Sequence, residues 1–346
     1  VKDDLKAIAL KLQSEGGRAL VVQTAFLGDV VLLTPLLRAL RRAFPKVYLT
    51  TLTLPVGMPL IEGWVDESLT IDKSKAATEE WSTMGQIIKA GQFDIALASH
   101  RSWRTGHLLR QAGIPFRIGF RRGGGQFFHT HKVDYPYWTY EGRRNLELLR
   151  ALVDINDTGL PEIKSFMEDK DHIDNILAKL DLIEHSFIVC APASVWKTKA
   201  WPLEYYSELA LTLWNEYRLP VLTVGGSQDR PLCSTLVMND DFNLAGRLTL
   251  RQSTELMARS KFVISGDTAP AHLATAAGAR QLIIYGSTTP RFGFFPPTPS
   301  ARALGRELWC RPCTDHGRNI CPLGNRMMCL KDLKPKMIVQ ITQDWI

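Results

Sequence analysis

Four short stretches of this 346-residue chain combine side chains that can do chemistry, and each comes within a few residues after an apolar run. Gly28-Asp29 comes after Ala19-Leu20-Val21-Val22. Glycine permits close approach of backbone and ligand, and the aspartate presents a carboxylate. The pair is therefore either a helix cap or a general base facing a substrate hydroxyl. Ser194, Thr198 and Lys199 follow Phe187-Ile188-Val189-Cys190-Ala191 and precede Pro202. Hydroxyls and an ammonium group just before a helix suit a diphosphate, although Lys197 and Lys199 could equally be surface charge. Gly225-Gly226-Ser227 follows Val221 to Val224 and could hold a ribose or base, or simply turn the chain. The last stretch, Asp267-Thr268-Ala269-Pro270-Ala271-His272, follows Phe262-Val263-Ile264. Asp267 or Thr268 can cap a helix there, with Pro270 in its first turn and His272 close behind.

The elements that must position these residues alternate. Strands are expected at 19–23, 47–53, 67–71 and 93–98, then Arg117-Ile118-Gly119-Phe120, with helices at 30–44, 55–63, 78–90 and 102–112 between them. Arg121 to Gln126 reads as a flexible basic loop, and a helix near 140–153 closes the first half. In the 30–44 helix Val30, Leu33, Leu37 and Leu40 recur at helical spacing, with Arg38, Arg41 and Arg42 on the polar side. A polar stretch, 154–171, is the best linker. The second half repeats the pattern, with strands at 187–191, 221–224, 242–244, 262–264 and 282–285 and helices at 202–217, 229–238, 249–259 and 268–278. Such alternation implies two α/β domains, each with a mainly parallel sheet. Chemistry in such sheets sits at the carboxyl ends of the strands, where all four stretches fall.

Charge and motif content exclude several classes. Nine Lys and Arg residues against two acids between His100 and Arg144 account for the whole formal charge of +7. So concentrated an excess points to an anion-facing surface. Neither half carries G-x-G-x-x-G after its first strand, which removes most support for a dinucleotide-dependent dehydrogenase, and no P-loop lysine motif is present. No apolar run is long enough to span a bilayer, and the charged start lacks a signal-peptide core, so a cytoplasmic protein is expected. Cys310-x2-Cys313-x7-Cys321-x7-Cys329 fits a zinc knuckle only loosely, because a second close pair is absent. A basic nucleic-acid-binding protein with a zinc tail is the alternative from another class, since Phe127, Phe128, Tyr135, Tyr137 and Trp138 interleave with the basic residues.

Taken in order, Gly28-Asp29 with Val30 to Pro35, Gly113-Ile114-Pro115 with Arg117 to Phe120, Lys199-Ala200-Trp201-Pro202, Asp267 to Ala274, and Tyr285-Gly286-Ser287 with Pro290 resemble the family 9 glycosyltransferases, the lipopolysaccharide heptosyltransferases. The cysteine-rich tail is similar to that of many second-heptose enzymes. The resemblance implies a GT-B fold, two Rossmann-like parallel-sheet domains facing across a cleft. It divides the chain into an acceptor-binding domain over 1–160, a donor-binding domain over 161–330, and a C-terminal helix over 331–346 returning towards the first. The implied donor is ADP-L-glycero-β-D-manno-heptose, and the implied acceptor is Kdo–lipid A or its heptosylated form. The reaction would be inverting, need no metal or other cofactor, and be carried out by a monomer peripheral to the inner membrane. Asp29 would be the base. Ser194, Thr198, Lys199, Gly226, Asp267, Thr268, Ala269 and His272 would bind the donor. Arg101, Arg104, Arg121 and Arg122 would meet acceptor anions. Another sugar nucleotide, such as a UDP-sugar, is the nearest alternative. The family usually has glycine where this chain has Ala269, and a backbone needing positive φ there would not tolerate it.

Overall fold

Apolar runs covered on both faces become parallel strands, because neither face is left to alternate with water. In the computed structural model, which describes residues 2–72 and 77–346, they build one sheet in each of two units, Val1–Lys164 and Ser165–Ile346. The first unit holds β1 (Gly17–Val22), β2 (Val47–Thr53), β3 (Glu67–Thr70), β4 (Ile95–Ala98), β5 (Phe116–Phe120) and β6 (His131–Val133). All pairs are parallel, in the order β3-β2-β1-β4-β5-β6. The short strand β6 has no counterpart in the sequence expectation, since only Val133 of its three residues is apolar.

The helix expected over 30–44 is two helices, Leu27–Val31 and Thr34–Ala43. Pro35 lacks a main-chain N–H, so the hydrogen-bond ladder restarts around it. Arg38 is not on a solvent face. It is buried, and donates to the Asp157 carboxylate (2.6 and 2.9 Å), to Glu162 (3.0 Å) and to the Leu160 carbonyl (3.1 Å). This guanidinium ties residues 157–162, expected as linker, down onto the first unit. The remainder of the expected linker runs into the helix Met167–Lys179 of the second unit.

The second unit holds β7 (Ile188–Ala191), β8 (Val221–Thr223), β9 (Phe262–Gly266), β10 (Gln281–Tyr285) and β11 (Ala301–Gly305), parallel throughout in the order β11-β10-β9-β7-β8. The strand expected over 242–244 is reduced to a single bridge from Asn243 to Thr223. The C-terminal residues contribute to this unit's core. The helix Pro335–Ile341 packs on the helix Leu203–Tyr217, with Ile338 and Leu333 fully buried, and the Trp201 ring N–H donates to the Leu333 carbonyl at 2.8 Å.

Each strand order has one point from which the connections run outwards in opposite directions: between β1 and β4 in the first sheet, and between β7 and β9 in the second. Strand-end loops diverge at such a point and leave a crevice for a ligand. Asp29 and Arg101 follow β1 and β4, and Lys199 and Asp267 follow β7 and β9.

Candidate active site

At the first crevice a buried relay fixes the strand ends. The Gln23 amide donates to Ser99 Oγ (3.0 Å), Ser99 donates to Asn145 Oδ1 (2.7 Å), and Asn145 donates to the Leu32 carbonyl (2.9 Å). This locks the loop after β1 to β4 and to the helix Glu141–Arg150. Asp29, half-buried, is the third residue of the helix Leu27–Val31, and its carboxylate accepts the Phe26 N–H at 3.2 Å. Burial, reinforced by the Glu141 carboxylate, pushes its pKa up to about 7; the Phe26 N–H and the Arg101 charge pull the other way. A carboxylate that holds a proton this readily near neutral pH is suited to taking one from a hydroxyl.

The surroundings include residues that the sequence did not single out. Glu141 is buried, accepts the Tyr135 hydroxyl at 2.7 Å and is ion-paired with the fully buried Arg144. Arg101 lies 4.1 Å above the Tyr135 ring. One signal was available: Glu141 is one of two acids in a window of nine cations. The other expected acceptor arginines are more exposed. Arg122 stacks on Tyr137 (4.9 Å), Arg104 on Trp103 (5.8 Å), and Arg121 is paired with Asp134 at 3.1 Å. Arg121, Lys132 and Arg143 line an open groove of about 530 Å³ that none of Arg101, Arg104 and Arg122 lines. Trp103, Phe127 and Trp138 stand exposed on the same unit.

At the second crevice Lys199 and Asp267 meet. Lys199 Nζ lies 2.8 Å from Asp267 Oδ2 and donates to the Asp267 carbonyl, also at 2.8 Å. Thr288, which the sequence did not indicate, donates its hydroxyl to the same Oδ2 at 2.7 Å. The ammonium thus has a main-chain acceptor and a paired carboxylate in the same loop. Thr268 is the N-cap residue and Ala269 the first residue of the helix Ala269–Ala276. Ala269 thus has helical backbone with negative φ, and alanine is accommodated where a left-handed conformation would have excluded it. His272 is buried in that helix, and burial pushes its pKa down to about 4, so it is neutral at pH 7. Its Nδ1 has no hydrogen-bond partner among the described residues.

The remaining expected donor residues are spread more widely. The Ser194 hydroxyl accepts the Trp196 N–H (3.1 Å), and the Gly226 N–H donates to Asp229 (2.8 Å). Thr198 is buried, and its hydroxyl contacts Ser287 Oγ at 2.9 Å and accepts the Arg318 N–H at 2.9 Å. Thr198 therefore acts as a fastening between loops rather than as an open hydroxyl. All six cysteines are free thiols, and among the described residues no group of three or more His, Cys, Asp or Glu is arranged to hold a metal ion. No helix among the described residues is long and apolar enough to cross a membrane.

Residues 81–322 match the family described as Glycosyltransferase family 9 (heptosyltransferase). The chain is 24% identical over 295 residues to lipopolysaccharide heptosyltransferase 2 of Escherichia coli (strain K12), covering 80% of this chain and 84% of that protein. It is 24% identical over 349 residues to lipopolysaccharide heptosyltransferase 1 of Pseudomonas aeruginosa, covering 93% and 96%. Among solved structures, a family 9 glycosyl transferase from Veillonella parvula superposes with a TM-score of 0.78 at 18% identity, over 97% of this chain and 98% of that one. The ADP-heptose lipopolysaccharide heptosyltransferase II of E. coli superposes with a TM-score of 0.73 at 20% identity, over 95% and 98%. The two parallel sheets with flanking helices are those of the GT-B fold.

Proposed function

We propose, for a chain that belongs to glycosyltransferase family 9, that this glycosyltransferase moves heptose from ADP-L-glycero-β-D-manno-heptose to the Kdo-containing inner core of lipopolysaccharide, with inversion at the anomeric carbon. The observation that carries the reading is the pair of occupied strand-order reversals: a proton-accepting carboxylate in one unit, and a lysine–aspartate pair beside a helix N-terminus in the other. In this reading the second unit binds the donor. Lys199 and the start of the helix Ala269–Ala276 meet the diphosphate, whose charge grows as the glycosidic C–O bond breaks. Asp267 and Thr268 meet the sugar and diphosphate, His272 supports the helix with a neutral imidazole, and Ser194 and Gly226 border the nucleotide.

Asp29 takes the proton of the acceptor hydroxyl as its oxygen bonds to the anomeric carbon, and ADP departs from the opposite face. Arg101, Arg104, Arg121 and Arg122 meet the carboxylates and phosphates of the acceptor. Exposed Trp103, Phe127 and Trp138 among those cations suit contact with the cytoplasmic face of the inner membrane, where the acceptor lipid resides. The test is heptose transfer from ADP-heptose to defined Kdo and heptosyl-Kdo acceptors, alongside melting temperature with ADP or UDP. Product with either acceptor and a rise in melting temperature with ADP alone are expected. Stabilisation by UDP alone, without transfer from ADP-heptose, overturns the donor assignment.

A further inference from the structure

The cysteine-rich stretch plays no part in the reaction just described, yet its first half is bonded to the turns of the donor crevice. The Arg311 guanidinium donates to the Thr288 carbonyl at 2.7 Å and to the Arg306 carbonyl. The Cys313 N–H donates to the Ser287 carbonyl at 3.1 Å. Thr198 and Arg318 are joined by three contacts, Thr198 N–H to the Arg318 carbonyl (3.0 Å), Arg318 N–H to the Thr198 hydroxyl (2.9 Å) and the Thr198 hydroxyl to the Arg318 carbonyl (2.9 Å). The Ser287 N–H in turn donates to the Thr198 carbonyl at 3.1 Å. The turn after β7 and the turn after β10 are therefore held to each other and to residues 311–318. Packing is tight at the junction: a Cβ added at Gly286 would lie 2.3 Å from the Thr198 carbonyl oxygen, and one at Gly317 would lie 2.5 Å from the Trp196 ring.

Thr288 transmits this anchoring to the charged pair. It is 1% exposed, and its hydroxyl and Lys199 Nζ converge on one oxygen, Asp267 Oδ2, at 2.7 and 2.8 Å. A buried hydroxyl bonded to one oxygen narrows the rotamers open to a carboxylate, and so helps set where the ammonium it pairs with can stand. Without that hydroxyl the carboxylate can turn away from Lys199, leaving the ammonium only the Asp267 carbonyl in place of two anchors. We infer that Thr288 and Arg311 are positioning residues for donor binding: Arg311, from the cysteine-rich stretch, fixes the turn carrying Thr288, and Thr288 fixes the Asp267 carboxylate that places Lys199. The inference deepens the donor assignment proposed above and rests on it.

The experiment compares the full-length wild type with Thr288→Val, Thr288→Ser and Arg311→Lys. ADP affinity is measured by calorimetry, and kcat and KM are measured separately for donor and acceptor. Valine keeps the shape of threonine and removes the hydroxyl, so Thr288→Val should weaken ADP and raise the donor KM by about tenfold, leaving the acceptor KM unchanged. Thr288→Ser retains the hydroxyl and should restore wild-type ADP affinity. Lysine cannot span the two carbonyls that the guanidinium bridges, so Arg311→Lys should weaken ADP about threefold or more. If Thr288→Val does not fold, the serine and lysine variants carry the comparison. A wild type that binds ADP alongside folded Thr288→Val and Arg311→Lys proteins that bind it equally well overturns this inference alone. A wild type that binds no ADP removes the donor assignment and this inference with it.

Discussion

Asp29 and Asp267 occupy matching places in two different units, each in the loop or helix start after a strand beside a reversal of strand order. Their surroundings differ in kind. Asp29 receives one main-chain N–H, sits near a second carboxylate, and is pushed up to about 7. Asp267 receives a lysine and a threonine hydroxyl on a single oxygen. One environment raises the affinity of a carboxylate for a proton, and the other fixes a carboxylate in place by supplying a cation and a donor. The same local sequence device, an aspartate after a buried strand, thus yields a group that can move a proton in one unit and a group that holds charge in position in the other.

The largest expected effect separates these two roles directly. Asp29→Asn keeps the shape and the N–H acceptor but cannot take a proton, so kcat should fall by about 10²- to 10⁴-fold with ADP affinity unchanged. Turnover near wild type in that variant removes Asp29 as the base. Lys199→Ala is the counterpart on the donor side. It should lower kcat/KM by about 10²-fold and weaken ADP, since a leaving diphosphate loses a nearby cation and Asp267 loses its partner. ADP bound as tightly as by wild type removes the phosphate role of Lys199.

Local signals made one half of this comparison legible and long-range contacts made the other half. Gly28-Asp29 and Asp267-Thr268 are visible because an apolar run, a capping residue and a helical pattern are all contiguous. The proton affinity of Asp29 is not, since it depends first on burial by the folded chain and then on Glu141, more than a hundred residues away. Thr288 meets Asp267 across 21 residues, and Arg38 meets Asp157 across 119. No periodicity connects such pairs. The alternation of strands and helices announced two parallel sheets, while β6 and β11 were missed. Strand β11, Ala-Arg-Ala-Leu-Gly, has no β-branched or aromatic residue, and pairing with β10 supplies what its own propensity does not. Thr198 shows what the sequence leaves out: a hydroxyl expected to face a diphosphate is buried and bonded between loops, to Ser287 and Arg318.

Acid should separate the units by stability. His272 in the second unit is buried and neutral, with its pKa pushed down to about 4 from an ordinary value near 6.5. The unfolded chain therefore binds the extra proton first. Stability is lost as pH falls from about 6.5 to about 4, to a total on the order of 3 kcal/mol. His129 puts the first unit under the same strain, being pushed down to about 4 as well. Asp29 works against it there, because a carboxyl pushed up to about 7 makes the folded unit bind its proton first and gain stability as pH falls from about 7. Between pH 6.5 and 4 the second unit should accordingly lose hydrogen-exchange protection before the first. His272→Asn should delay that loss, and protection lost first from 2–164 would contradict it.

The smallest expected effect tests why the two aspartates differ. If transfer needs Asp29 unprotonated, kcat/KM should fall on the acid side with a midpoint near 7. Burial is the main cause of that midpoint and survives any single substitution at the rim, whereas the Glu141 charge does not. Glu141→Gln removes a carboxylate that opposes ionisation of Asp29 and leaves the Arg144 charge without its partner, and both changes favour the ionised form. The midpoint should move down by roughly half a unit, which raises activity about two- to threefold at pH 6 and changes little at pH 8. Thr288→Val, acting on the other aspartate, should leave the midpoint where it is. A Glu141→Gln enzyme with an unmoved midpoint would mean that burial alone sets the proton affinity of Asp29. The contrast with Asp267 would then reduce to the presence or absence of a cation.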